Sequence, residues 1–226
     1  MQHDTALADS PWPSIPGGLT VLIPVGSTEQ HGPHLPLDVD TVIAVAVSEA
    51  AARRSRSGVV RTLPAIPFGS SGEHQAFPGT VSIGTQALTA VLIELGRSAR
   101  TWARRLVFVN GHGGNLDALE RAVAVLSTEG ADVSWHPCRH GDVHAGRAET
   151  SLMLHLDPAR VVTGALEAGE TAPLTRLLPL LRSGGVRAVS PNGVLGDPRG
   201  ATAGEGAALL ERMAAELESA IARGAT

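Results

Sequence analysis

The chain has 226 residues, a formal net charge of −4, 43% hydrophobic and 18% charged residues, a balance that fits one sizeable α/β domain and excludes a disordered chain. It contains no lysine, only 3% aromatic residues and no basic run, so no nucleic-acid partner is expected. No apolar run approaches the roughly 18 residues of a membrane span; residues 1–14 hold no apolar signal core, and the single cysteine, Cys138, fits a reducing compartment, so the expected setting is cytoplasmic, away from any membrane.

Residues 1–18 read as an N-terminal tail, with Pro11, Pro13, Pro16 and the Gly17-Gly18 pair, ahead of a single domain over residues 19–226. Leu19 to Val25 is a short apolar run, the mark of a strand buried on both faces. A loop over residues 26–39 leads to a helix from Asp40 to Arg56. Val42, Ile43, Ala46, Val47 and Ala50 fall there at helical spacing, and Asp40 is placed to cap it. Val59 to Pro64 predicts a second strand, residues 68–72 a Gly/Ser-rich loop, and Gly79 to Ile83 a short strand. Thr85 to Trp102 carries Leu88, Val91, Leu92, Leu95 and Ala99 along one side of an amphipathic helix. Arg105 to Asn110 is the clearest central strand, feeding a glycine-rich turn and then a helix from Leu116 to Thr128. Asp132 to His136 predicts another strand, and a helix begins near Arg147 and runs to Leu156, ended by Asp157-Pro158. Pro173, Pro179 and Pro191 predict loops and short helices over residues 159–200, before a final amphipathic helix from Thr202 to Arg223. Strands alternating with helices imply an α/β fold with a mainly parallel central sheet and helices on both faces.

The chemistry-bearing residues cluster where strands end. Glu29-Gln30-His31 and Asp40 follow the first strand, and in extended chain residues i and i+2 face the same way, so Glu29 and His31 can share a cleft. Carboxylate with imidazole suits Zn²⁺, Mn²⁺ or Fe²⁺, and Asp40 can bridge two ions; a solvated loop with a plain helix cap is the competing reading. Asn110-Gly111-His112-Gly113-Gly114-Asn115 lies where open α/β sheets place their ligands. It lacks the lysine and Ser/Thr of a phosphate loop, so His112 reads as a metal ligand and Gly113 as a point of close substrate approach. Further on, His144 precedes Glu149 at a helix start: either Glu149 completes a second metal with His144 as acid/base, or it merely favours the helix dipole. Glu73, His74 and His34 are candidates for binding substrate or orienting ligands, and equally for solvated loop positions. His3, His136, His140 and His155 are read as surface or core residues.

Taken together, GSTEQHGPHLPLDVD (26–40), GEHQAFPGTVSIG (72–84), VNGHGGN (109–115) and HAGRAETSLMLHL (144–156) resemble, in collinear order, the creatininase family of amidohydrolases. The resemblance implies a three-layer α/β/α sandwich, two divalent metal ions per subunit, hydrolysis of amide C–N bonds and a homo-oligomer. It makes Glu29 and His31 ligands of different ions, Asp40 the bridging carboxylate, and His112 a ligand of the ion that Glu29 holds. His144 matches the catalytic histidine, and Glu149 serves the second ion. One departure stands out: Gly114 lies where creatininase itself has a glutamate ligand, and Glu149 is its natural replacement. With three Trp and no Tyr, an aromatic clamp for creatinine is also hard to place. The runs STEQHGPHLPLD, SARTWARRLVFVNGHGGN and VLGDPRGATAGEG (194–206) resemble a peptide-cleaving branch of the family. That branch implies a modified ribosomal precursor peptide as substrate, cut before its C-terminal dipeptide, with Fe²⁺ and Zn²⁺ as the ions and Mn²⁺ as an alternative. A small-molecule amidohydrolase acting on creatinine or a formamide, or a non-catalytic metal-binding module, is the alternative function.

Overall fold

Thr20–Val25 (β1) and Arg105–Asn110 (β3) are buried along their whole length, as strands with a helical layer on each face must be. In a computed structural model describing residues 5–55 and 59–223, they pair in parallel. With Val60–Thr62 (β2) and Val133–Pro137 (β4) they form an all-parallel sheet of order β2-β1-β3-β4. The two-residue period of the strands sorts their side chains into two cores. Leu22, Val107 and Val109 face Val39–Arg54 (α1), Arg147–Leu156 (α4) and Ala203–Arg223 (α6) through Ile43, Val47, Leu152, Met213 and Leu217. Val21, Ile23, Leu106 and Phe108 face Gly84–Ala99 (α2) and Leu116–Thr128 (α3) through Leu88, Leu92, Leu119 and Leu126. The three layers of the expected sandwich are present.

The chain leaves β1 toward β2 on one side and returns to place β3 on the other. The loops after β1 and β3 therefore start side by side, Val25 being in register with Asn110, and diverge into a crevice at the carboxyl ends of the strands.

Several local expectations are corrected. Gly79 to Ile83 forms no strand; the Val81 N–H donates to Thr28 O and the Ile83 N–H to Gly69 O, so loops rather than a sheet edge take up its backbone groups. Asp38, not Asp40, stands at the N-cap of α1, and Asp40 sits in the first turn with its carboxylate turned to the crevice; Arg56 lies outside the described residues. Within residues 159–200, Leu174–Val189 (α5) consists of two helical pieces that meet at Gly185, as the expected loops and short helices allow, but Pro179 lies inside the first piece rather than breaking it. Pro173 occupies its N-cap and Pro191 lies beyond its end, so both flank the helix rather than break it, while the bend falls at Gly185 (φ 69°). At the other end of the chain, Ala6 pairs in parallel with Thr62, and Leu7 is buried against the α2/α3 core, which covers the outer edge of β2. No helix among the described residues is long and apolar enough to cross a membrane.

Helix α6 approaches α4 so closely that a Cβ at Gly206 would lie 1.9 Å from Ser151 O. Gly206→Ala is expected to force the helices apart and cost about 1–3 kcal/mol, read as a lower urea midpoint; an unchanged midpoint would show that the crossing has slack.

Candidate metal centre

Each strand delivers its loop to the same crevice. After β1 come Glu29, His31 and Asp40; after β2, Glu73 and His74; after β3, His112; after β4, His140, His144 and Glu149. All of these except Glu73 and His140 are buried.

Asp40 lies at the centre. Its Oδ1 is 3.1 Å from His31 Nε2 and its Oδ2 is 3.3 Å from His112 Nδ1, so one carboxylate faces two imidazoles on opposite sides. The Ser27 hydroxyl donates to Oδ2 at 2.6 Å and fixes that orientation. Glu29 Oε2 is 3.2 Å from His112 Nε2, while Oε1 is 3.2 Å from His74 Nε2 and 3.6 Å from His144 Nδ1. Glu149 approaches His31 Nε2 at 4.0 Å with Oε2 and His140 Nε2 at 3.3 Å with Oε1. Among the described residues three overlapping sets, Glu29/His74/His144, His31/His144/Glu149 and Glu29/His31/Asp40, each bring their ligand atoms within 4.8 Å of one another. His31 Nδ1 meets Glu29 O at 3.2 Å, and this backbone anchor leaves Nε2 as the nitrogen that faces the cluster, the usual arrangement of a ligating histidine.

Both oxygens of the fully buried Glu29 carboxylate lack a hydrogen-bond partner. A carboxylate in that state carries a large desolvation penalty unless a cation meets it. Divalent ions therefore fit this donor set, in which three buried carboxylates are interleaved with imidazoles.

The ionisation pattern points the same way. Burial lifts Glu29 to about 7. Burial opposes a charge on His31 and His112, but Asp40 and Glu149 around the first, and Glu29 and Asp40 around the second, raise both to about 10. Asp40, despite burial, is held well below the usual carboxylate range by His31 and His112, and Glu149, against its burial, is brought to about 2 by His140. Burial and the positive His31 push His144 down to about 3, and burial likewise depresses His74. Without metal, His31 and His112 thus hold protons where cations would sit.

The structure brings Glu29, His31, Asp40, His112, His144 and Glu149 together with His74. Glu73 is half-buried at the rim, Oε1 3.5 Å from His112 Nε2, and Gly113 is exposed at the start of its turn. His34 is buried, with Nε2 2.9 Å from the Thr150 hydroxyl of α4. At Gly114 a Cβ would stand 2.4 Å from His112 Nε2 and 2.7 Å from Glu73 Oε1, so the glycine is required by the packing of its neighbours. Sequence reasoning missed His140, Gln30 and Ser27. His140 follows β4 as His112 follows β3, and its place after a strand end was the available signal. His136 is half-buried on β4 and His155 exposed on α4; His3 lies outside the described residues.

The family profile described as creatinine amidohydrolase matches residues 12–221. The chain belongs to the creatininase family. It is 55% identical over 222 residues to the mycofactocin precursor peptide peptidase of Mycobacterium ulcerans (strain Agy99), covering 95% of this chain and 86% of that protein. Among solved structures it superposes on one titled "Creatininase Mn" with a TM-score of 0.79 at 26% identity, covering 96% of this chain and 97% of that one. A putative creatinine amidohydrolase from Bacteroides fragilis NCTC 9343 gives 0.81 at 23% identity, covering 100% and 98%, and supports the fold alone.

With His31 and His112 raised to about 10 by the carboxylates around them, an ion held at these rings would displace their protons, and its affinity would fall as pH falls. Titration calorimetry of the metal-free protein with Zn²⁺, repeated in buffers of different ionisation enthalpy, is expected to show net proton release at pH 7. Zero release would place neutral imidazoles there before metal arrives.

Proposed function

We propose that this chain is a metal-dependent peptidase that hydrolyses the amide bond before the modified C-terminal dipeptide of a mycofactocin precursor peptide. The observation that carries the reading is the 55% identity to a peptidase of that name over 95% of the chain, joined to a buried carboxylate–imidazole cluster in which three histidines surround the Glu29 carboxylate. In this proposal Glu29, Asp40 and His112 hold one ion, and His31, Asp40 and Glu149 the other. The two faces of the Asp40 carboxylate, toward His112 and toward His31, suit a bridge. Iron and zinc are the proposed pair, with manganese an alternative supported by the metal in one relative's title. The proposal includes a homo-oligomer, as the family resemblance implies, in the cytoplasmic setting that the single cysteine fits.

When bound, the ions supply an acidified water and positive charge for the carbonyl oxygen of the scissile bond. The chain supplies the rest. His144, kept neutral by its burial, is the group that takes a proton from the attacking water and returns it to the leaving amide nitrogen. Glu149, caught between His31 and His140, stays ionised. Glu73 and Gly113 flank the cluster on the side of the β2 and β3 loops and are assigned to substrate contact, His74 is assigned to orienting Glu29, and His34 lies behind His31. Cys138, the only thiol, is buried and pushed up to about 12, so it is not the nucleophile.

Incubation of the metal-loaded enzyme with a modified precursor peptide is expected to release the C-terminal dipeptide unit, detected by mass spectrometry, with creatinine left intact. Turnover of creatinine and none of the peptide would overturn the reading. Asp40→Ala is expected to lose both ions on metal analysis. His144→Ala is expected to retain them while turnover drops by about 10²–10⁴; wild-type turnover from that variant would remove His144 from the reaction.

A further inference from the structure

Two histidines, His74 and His144, face Oε1 of Glu29, and their shared neighbour is a residue to which no role has been given. Gln30 is buried between Glu29 and His31. Its side-chain oxygen accepts from the Gly32 N–H at 2.9 Å, which identifies the other amide atom as the nitrogen. That nitrogen has two protons. One goes to Gly193 O at 3.1 Å. The second has two candidate acceptors, His74 Nδ1 and His144 Nε2, each 2.9 Å away. The backbone decides between them. His144 Nε2 lies 2.8 Å from the carbonyl oxygen of Gln30 itself, and a carbonyl oxygen only accepts, so the His144 proton sits on Nε2 and this nitrogen cannot also accept. The remaining Gln30 proton therefore goes to His74 Nδ1.

We propose that Gln30 is a positioning residue that assigns the protons of two active-site imidazoles, fixing both His74 and His144 as Nε2–H tautomers. The consequences for the two rings are opposite. The Nε2–H of His74 faces Glu29 Oε1 at 3.2 Å, so His74 presents a proton to that carboxylate and has no lone pair to offer a cation there. His144 presents the lone pair of Nδ1 to the cluster, 3.6 Å from Glu29 Oε1. His144 is then the ring able to accept a proton from water and pass it to the leaving nitrogen, and His74 is held as an orienting group. The late segment takes part. His144 and Leu195 exchange backbone hydrogen bonds, Gly193 receives the Gln30 amide, and a Cβ at Gly193 would fall 2.0 Å from Gln30 Oε1. The loop 190–196 thus clamps the amide in the orientation on which the assignment depends.

The proton-transfer consequence rests on the peptidase reading above; the tautomer assignment does not, and the experiment separates them. Long-range ¹H–¹⁵N correlation spectra of the zinc-loaded full chain, labelled at histidine and assigned with His74→Gln and His144→Gln, read the protonated nitrogen of each ring without substrate. The expected result is an Nε2–H for both rings in the wild type. In Gln30→Glu the side chain can no longer donate, and His74 is expected to move its proton to Nδ1 while His144, held by backbone, stays as it was. In the peptide assay Gln30→Leu is expected to lower kcat about 10–100-fold, the range for partners that orient ligands, with KM little changed. A wild-type His74 protonated on Nδ1, or a Gln30→Glu variant with unaltered tautomers, overturns the assignment. If both tautomers are as assigned and the peptide is not cleaved, the peptidase reading fails alone. Should a variant not fold, the wild-type spectrum still decides.

Discussion

Three carboxylates, Glu29, Asp40 and Glu149, are buried within a few ångströms of one another, and the rest of the structure answers to that concentration of negative charge. Isolated carboxylates in such a place would neutralise themselves by taking up protons. Glu29 moves some way in that direction, lifted to about 7, whereas Asp40 and Glu149 are held ionised by the histidines beside them. The cluster is therefore stable only with positive charge inside it, as imidazolium or as metal. That single requirement explains why the histidines converge here, around Glu29 as well as Asp40, and why a divalent pair suits the site better than any neutral ligand.

The sheet makes the convergence possible. Parallel strands point all their carboxyl ends the same way, so four loops far apart in sequence open onto one edge. The reversal of strand order between β1 and β3 opens the crevice at Val25 and Asn110. Close backbone approach then brings the loops into contact. A Cβ at Gly111 would meet Asp40 O at 2.3 Å, and one at Gly114 would meet His112 itself. Glycines at these points let the β3 turn settle against the first turn of α1, which is what brings His112 within reach of Asp40.

Much of this could be read from residue order alone, because the strands and the site obey simple rules. Six-residue apolar runs bounded by glycine or polar turns gave β1 and β3, and acidic or imidazole side chains just past them gave Glu29, His31 and His112. The resemblance of four motifs to one family supplied what spacing could not, the joining of Glu149 and His144 to that centre. The misses have physical causes. Asp40 looks like a helix cap because carboxylates favour the first turn, and only the tertiary fold turns it inward. Gly79–Ile83 has strand-forming residues, yet no free sheet edge lies beside it. Pro179 reads as a helix breaker although it lies inside α5. Gln30 gave no signal, since an amide between two candidate ligands looks like a spacer until its neighbours are known. His140 is separated from Glu149 by a turn whose shape, including Ala145 at φ 53°, no local pattern reports.

The side chains of the cluster are divided between two kinds of support, and the division fits their proposed tasks. Asp40 and Glu149 stand in the first turns of α1 and α4, helices locked by the same apolar core and by their packing on α6. Such elements hold a group to within fractions of an ångström, as the proposed sharing of Asp40 by two cations would require. The histidines come from loops instead, and each is steadied by a polar contact: Glu29 O for His31, Ser70 O for His112, the Gln30 amide and backbone for His74 and His144. A carbonyl or amide anchor does what packing cannot, because it selects which ring nitrogen carries the proton as well as where the ring lies. Rigid helices thus set the position of charge, and loop hydrogen bonds set the direction of proton movement. Substitutions in the α4/α6 contact and substitutions at Gln30 should therefore damage the same site through separable properties, the first through metal geometry and the second through proton placement.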